Sequence, residues 1–146
     1  MPSNATLYET DFHAWANEQA ALLRAGRLTE ADIENIAEEI ATLGRNEKRE
    51  LVTRLEDLLL LVLKWRYQPA FRSGSWCSSI EEKRYLVNDH LKDSPSLRSQ
   101  LDDAMRRAYR RARLSAVQTT GFDPDTFPPT CPFTFDEAMN PEFWPE

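Results

Sequence analysis

The sequence predicts an all-α, four-helix bundle-like single domain with one very long second helix and a Pro/aromatic C-terminal tail. Three observations support this fold class. Apolar residues recur at intervals of three and four over most of the chain, as they do along one face of a helix. Only four of the 146 residues are glycine, which argues against a many-stranded β fold. The length is that of one domain, and we expect it to cover residues 1–146.

The first predicted helix begins after Thr10 or Asp11, either of which can cap it, and ends at about Ala25. Gly26 supplies the stop after its last turn. Its predicted inner face consists of residues at helical spacing, namely Phe12, Trp15, Gln19 and Leu22.

The second predicted helix opens with a capping box at residues 29–32 and runs to about Trp65. At ~1.5 Å per residue it would be roughly 55 Å long, with a bend at Gly44 and an end at Gln68-Pro69. Its predicted inner stripe is Ile33, Ile36, Ala37, Ile40, Leu43, Gly44, Leu51, Leu55, Leu58, Val62 and Trp65. Residues 58–63 are apolar on all sides, so we expect other helices or another subunit to cover them.

Two further helices and an aromatic tail complete the predicted fold. Ser78 or Ser79 caps helix three, and Ser94-Pro95 opens helix four, which runs to about Thr119. A row of alanines on helix four permits close approach of a neighbouring helix, and arginines occupy its opposite face. The tail, residues 121–146, is predicted to pack along the bundle, with Thr134 capping one short helical turn.

Composition excludes several classes of protein. The net charge of −6 gives no general affinity for nucleic acid. Cys77 and Cys131 are the only cysteines and no charged-then-apolar leader is present, which together predict a cytoplasmic protein. The apolar run at residues 58–63 is far shorter than the ~20 residues that span a bilayer, so we expect no membrane contact.

A series of sequence blocks occurs in order over nearly the whole chain. These blocks are Tyr8-Glu9-Thr10-Asp11-Phe12 with Ala14-Trp15, Asn35-Ile36-Ala37-Glu38-Glu39-Ile40, Leu43-Gly44-Arg45, Lys64-Trp65, Tyr67-Gln68-Pro69, Ser75-Trp76 with Ile80, Asp93-Ser94-Pro95-Ser96-Leu97, and Thr126-Phe127-Pro128 with Cys131-Pro132. Together they resemble the bacterial domain-of-unknown-function family twenty-nine. The resemblance implies a small α-helical bundle from a bacterial cytoplasm, and it brings no established activity, catalytic residue, cofactor or partner.

Aromatic residues cluster at the predicted corner between helices two and three. The interaction candidates are Trp65, Tyr67, Gln68, Phe71 and Trp76. Aromatic anchors often dominate protein interfaces, although the same residues can form a plug that closes one end of the bundle. We therefore predict a non-enzymatic protein–protein interaction or regulatory module with an unidentified protein partner, and self-association into a homo-oligomer is compatible with it.

Two alternative functions involve nucleic acid. Arg84 and His90 resemble the Arg-x(4–6)-His pattern of helical ribonucleases of the HEPN type; His90 would take the proton of the RNA 2′-hydroxyl and Arg84 would steady the phosphate. On a straight helix, however, the two side chains lie about 120° apart. The second alternative is a nucleic-acid binder that uses the helix-four arginines, Arg106, Arg107, Arg110 and Arg111. A salt-bridged outer face, covered by the acidic tail or by Asp102 and Asp103, is the favoured explanation of those arginines.

Charged residues on the core side of the bundle predict a structural contact. Glu47 falls about 40° from the centre of the apolar stripe of helix two, and Arg84 falls on the apolar face of helix three. A Glu47–Arg84 pair across the bundle is therefore predicted, with a role in register rather than in chemistry. No Glu-x-x-His motif is present, so we predict no metal and no cofactor. The sequence identifies no catalytic residue, which disfavours an enzyme.

Overall fold

The structure is a computed structural model that describes the backbone of residues 4–146 and the side chains of residues 7–146. It is 80% helical, and no strand occurs between residues 4 and 146. The all-α fold class is thereby confirmed. The chain packs as two compact units, residues 1–46 and residues 47–146, and one long helix contributes to both. One domain over residues 1–146 stays a prediction.

The first unit contains helices α1 (Asn4–Thr10) and α2 (Phe12–Arg24). Asp11 separates them and caps α2, because its carboxylate accepts a hydrogen bond from the backbone N–H of Ala14 at 3.1 Å. After α2 the chain turns through Gly26, whose φ of 73° is the left-handed conformation that glycine adopts without strain. Of the two caps that the sequence allowed, Asp11 is the one used, and α1 is a helix that the sequence analysis did not predict.

Helix α3 (Ile33–Tyr67) is the long second helix of the prediction, and it runs through Gly44 without interruption for 35 residues. Its predicted start at Thr29 is wrong by four residues. Residues Leu28–Glu30 form a separate 3-10 turn, and the extended backbone of Ala31 (ψ 147°) separates that turn from α3.

The first unit has almost no interior. Among residues 7–46 only Trp15 and Gln19 are buried. The predicted inner stripe of α3 is largely exposed there, with 52% of Ile33, 63% of Ile40 and 66% of Leu43 accessible to solvent. The expectation of a buried stripe is wrong for this half of α3, because residues 7–46 provide no third layer to cover it.

The second unit holds the hydrophobic core. The second half of α3 packs against α4 (Gly74–Asp93) and α5 (Leu101–Thr120). Four alanines of α5 are fully buried and let the helices approach closely, namely Ala104, Ala108, Ala112 and Ala116. Leu58, Leu59, Val62 and Leu63 are likewise buried, as expected for a segment that is apolar on all sides.

The starts of α4 and α5 differ from their predicted positions. Helix α4 is capped by Ser73, whose hydroxyl accepts from the N–H of Trp76 at 3.2 Å, so the predicted cap at Ser78 or Ser79 is wrong. The earlier cap takes precedence because residues 74–77 already have helical geometry. Residues Pro95–Gln100 form a 3-10 turn before α5 begins.

The tail of the chain packs into the second unit. Phe127 and Phe133 belong to its core. Helix α6 (Phe135–Met139) begins with a capping box in which Thr134 and Glu137 bond reciprocally, which confirms the predicted cap. The half-buried Arg113 of α5 binds backbone carbonyls of the tail: it donates to Phe127 O at 3.2 Å and to Pro124 O at 2.8 Å.

The buried alanine row generates a prediction about stability. Ala108→Leu should lower the free energy of unfolding by about 1–3 kcal/mol, because the added atoms have no space at the α3–α5 contact. Gln118→Leu, at an exposed position of the same helix, is the matched control and should change stability by no more than about 0.5 kcal/mol. Urea unfolding monitored by circular dichroism gives both values. Equal effects of the two variants would contradict the close packing.

Candidate functional site

An apolar groove runs along the first unit, between α2 and the beginning of α3. Its volume is about 520 Å³. Most of the lining side chains are apolar and recur at helical spacing; the lining consists of Phe12, Trp15, Ala16, Gln19, Ala20 and Leu23 from α2, and Ile36, Glu39, Ile40 and Leu43 from α3. Each helix thus presents one continuous face to the groove.

Hydrogen bonds from two buried residues of α2 fix the base of the groove. The indole Nε1 of Trp15 donates to the carboxylate of Asp32 at 3.0 Å. The carbonyl Oε1 of Gln19 accepts from the backbone N–H of Asp32 at 2.7 Å. Hydrogen bonds from Asn35 and Trp15 lower the pKa of Asp32, so this carboxylate remains charged and able to accept. The two walls are therefore held at a defined separation at this end.

Gln19 also offers an unused donor. Its Oε1 must face the N–H of Asp32, and its Nε2 therefore points the other way. This Nε2 is buried and has no hydrogen-bond partner within the described part of the chain. A buried donor without an acceptor is costly, and Gln19 lines the groove.

Aromatic side chains close one end of the groove. The ring of Trp15 lies 4.7 Å from that of Tyr8 and 5.4 Å from that of Phe12. The hydroxyl of Tyr8 donates a hydrogen bond to Glu39 on α3, and this bond raises the pKa of the Tyr8 hydroxyl. Phe12 nevertheless remains 50% exposed. Its ring is available to a bound molecule.

The negative charge of the protein is concentrated in the unit that contains this groove. Residues 1–46 contain eight acidic side chains against three arginines, a net charge of −5 out of the total of −6. Residues 47–146 contain 16 acidic and 15 basic side chains and are almost neutral. The groove thus lies in a strongly acidic unit, which favours a basic ligand.

The predicted aromatic corner packs mainly against the protein's own tail. The ring of Trp65 lies 6.1 Å from that of Trp76 and 5.0 Å from that of Trp144. Tyr67 packs edge-on against the buried Phe127 at 5.1 Å. This arrangement is the plug that the sequence analysis held open as the alternative. A role in binding stays a prediction for these residues.

Two members of the corner lie at its surface. Phe71 is 67% exposed, and Gln68 is half-buried where it precedes the 3-10 turn Pro69–Phe71. Arg72 spans the corner: its guanidinium lies 5.1 Å from the ring of Trp65 and donates to Trp65 O at 2.7 Å. Phe71 is therefore the one large apolar side chain of the five that points to solvent.

The predicted Glu47–Arg84 pair is wrong. The buried guanidinium of Arg84 donates to Ala138 O and to Phe143 O, each at 2.8 Å, and lies 5.0 Å from the ring of Trp144. Burial lowers its pKa. Glu47 lies instead beside His90, six residues or about 9 Å further along α4. Counting 100° per residue showed that Glu47 and Arg84 each lie on the inner face of their helix. It did not show which residues of the two helices lie at the same level.

The same geometry separates the two residues of the nuclease alternative. Arg84 is occupied by tail carbonyls. The ring of His90 is buried, and its Nε2 lies 2.8 Å from the backbone oxygen of Glu47. The two side chains do not share one accessible site where RNA would contact both.

Three of the four arginines proposed for nucleic acid form ion pairs with nearby acids. Arg106 and Arg107 pair with Asp103 at 3.4 and 3.1 Å, and Arg111 pairs with Glu56 at 3.2 Å. Arg110 has no ion pair within residues 7–146. Arg107, Arg110 and Arg111 line an open cleft of about 680 Å³ beside α3, together with Arg49. Contact with nucleic acid stays a prediction.

The fold and the groove define a class of protein: an all-α protein with an open apolar groove in a unit of negative net charge. No helix within residues 4–146 combines the length and the apolar character needed to cross a lipid bilayer. The sequence model of the family described as Domain of unknown function DUF29 matches residues 7–144. The chain belongs to this family, which confirms the resemblance. Comparisons with curated proteins and with solved structures found no match.

The contacts of Arg84 generate a second prediction. Arg84→Leu should lower the free energy of unfolding by about 3 kcal/mol, because two charge-assisted hydrogen bonds are lost and the carbonyl of Ala138 stays buried. Lys92→Leu removes an exposed cation from the same helix and is the matched control, with an expected change within about 0.5 kcal/mol. Urea midpoints measure the difference. A variant at position 84 as stable as the control would refute the role of Arg84 in holding the tail.

Proposed function

We propose that the protein is a non-enzymatic interaction module that binds a basic amphipathic helix of a partner protein in the groove of residues 7–46. One observation carries this proposal: large apolar side chains stay exposed along a continuous face that α2 and α3 build together. Contiguous apolar patches of this kind mark interaction sites in soluble proteins. Each Å² of apolar surface removed from water by a partner contributes about 25 cal/mol.

The shape of the groove favours a helix as the occupant. Its α2 wall runs from Phe12 to Leu23, about 16 Å at ~1.5 Å per residue. The opposite wall includes Ile36, Ile40 and Leu43, which follow one another at intervals of four and three residues and so lie on one face of α3. An amphipathic helix of about three turns places its apolar face into such a groove through residues at positions i, i+3, i+4 and i+7.

Charge favours a basic partner over a second copy of the chain. The unit that contains the groove has a net charge of −5, so two copies docked through it would bring like charges together. Lysines or arginines that flank the apolar stripe of a partner helix would face this acidic surface.

The lining supports binding rather than catalysis. Glu39 is the one ionisable side chain among the residues that line the groove, and it accepts a hydrogen bond from Tyr8. General acid–base chemistry usually needs a second positioned group. The groove therefore offers surface and charge, which are the properties of a docking site.

Synthetic peptides test the proposal directly. A helical 18-residue peptide with leucines at the spacing above and flanking lysines should bind the full-length protein, as measured by fluorescence anisotropy. A version with glutamates at the flanking positions should bind at least tenfold more weakly, about 1.4 kcal/mol. Added salt should reduce this difference, because exposed charges are screened.

Groove variants supply the controls. Ile40→Asp should weaken binding of the lysine peptide at least tenfold, because it places a charge in the apolar wall. Leu114→Asp, at an exposed leucine of α5, should leave binding unchanged. Equal affinity for both peptides would contradict the charge argument. A concentration-dependent dimer that Ile40→Asp dissociates, seen by light scattering, would show a second copy in the groove and refute the proposed partner.

A further inference from the structure

Three potential metal ligands meet between α3 and α4 in the second unit. Glu47 and Glu50 lie three residues apart on α3, where their side chains share one face. His90 extends toward them from α4, and one ligand atom from each residue lies within 4.8 Å of the others. All three residues belong to the second unit, which also contains the core, and none of them lines the apolar groove.

His90 is the rigid member of the cluster. Only 7% of the residue is exposed, and its Nε2 lies 2.8 Å from the backbone oxygen of Glu47. A carbonyl oxygen can only accept, so Nε2 carries the proton in this contact. In the neutral ring the lone pair is then on Nδ1. The fold therefore fixes both the orientation of the imidazole and its tautomer.

The lone pair of His90 faces a carboxylate. Nδ1 lies 3.9 Å from Oε2 of Glu50, too far for a hydrogen bond. A neutral imidazole nitrogen and a carboxylate oxygen are both acceptors, and a cation between them would satisfy both. Histidines that bind metals commonly donate their other ring N–H to a backbone carbonyl, as His90 does to Glu47.

We propose that Glu47, Glu50 and His90 bind a divalent transition-metal ion, with Zn²⁺ as the best match. One imidazole nitrogen with two carboxylate oxygens suits Zn²⁺, whereas Mg²⁺ and Ca²⁺ prefer all-oxygen sites. Both carboxylates are about half exposed, which leaves them free to rotate. Oε2 of Glu50 already lies on the Nδ1 side of the ring, whereas Oε2 of Glu47 lies 3.7 Å from Nε2 and must rotate to reach the usual ~2.0–2.2 Å from an ion held by Nδ1. Water completes the coordination.

The proposed ion would connect α3 to α4 at the end of α4. The hydroxyl of Ser94, just after α4, donates to Oε2 of Glu47 at 3.4 Å and helps to orient that carboxylate. His90 lies 43 residues after Glu47 and 40 residues after Glu50 in the sequence. The complete site therefore exists only in the folded chain. Zn²⁺ should therefore raise the unfolding temperature as its concentration rises.

Calorimetric titration of the chelator-treated, full-length protein with Zn²⁺ tests the site. We expect one bound ion in the wild type and no measurable binding of Mg²⁺. His90→Asn and the double variant Glu47→Gln/Glu50→Gln should each weaken binding at least tenfold. His13→Asn removes the other of the two histidines and is the matched control, which should bind like the wild type.

Two readouts keep the result unambiguous. If His90→Asn fails to fold, the double glutamine variant, which retains His90, decides the question. Co²⁺ bound in place of Zn²⁺ should give visible absorption bands without the intense near-ultraviolet thiolate band, since neither Cys77 nor Cys131 is a proposed ligand. Absence of Zn²⁺ binding to the wild type, or equal binding by the double variant, would overturn the proposal. Peptide binding in the groove is a separate measurement and should not change in the double variant.

Discussion

Burial of the second half of α3 against α4, α5 and the tail is the interaction on which the rest of the structure depends. Five leucines of this half are completely inaccessible to solvent, namely Leu51, Leu55, Leu58, Leu59 and Leu63. The alanine row of α5 allows the close contact that this burial needs. Because the hydrophobic core is concentrated in residues 47–146, the first half of the same helix continues its apolar pattern without a buried interior of its own.

The contrast between the two halves of α3 also explains the predicted function. An apolar stripe normally indicates the buried face of a helix. In residues 7–46 it borders a groove instead, with Ile40 and Leu43 among its most exposed residues. The unit that contains this apolar surface has a net charge of −5. Affinity from apolar contact and selectivity from charge would then come from one short stretch of the chain.

Local signals in the sequence predicted much of the fold. Helical spacing identified α2, α3, α4 and α5, and the Thr134 capping box identified α6, because these features depend on residues only three or four positions apart. Starts were less predictable where several caps compete, as at Ser73 against Ser78. The exposure of Ile33 and Ile40 was not predictable. The spacing of apolar residues shows which face of a helix is apolar, but it does not show whether another helix covers that face.

The candidate sites show the same division between local and distant information. Phe12, Trp15 and Gln19 were expected on the inner face of the first helix, and all three line the groove. The meeting of Glu47, Glu50 and His90 has no sequence motif, because it depends on the register of α3 against α4. The same register separates Glu47 from Arg84, which the angular count had placed together.

The grip of Arg84 on the tail has a consequence for the order of events during synthesis. Its carbonyl partners lie 54 and 59 residues further along the chain. In a nascent polypeptide the guanidinium of Arg84 therefore lacks both carbonyl partners until residue 143 has left the ribosomal tunnel. Such distant pairings form late in folding. Folding of the second unit can therefore be completed only after the tail has been translated. The hydrogen bonds of α2 with Asp32 join residues close in sequence and can form much earlier.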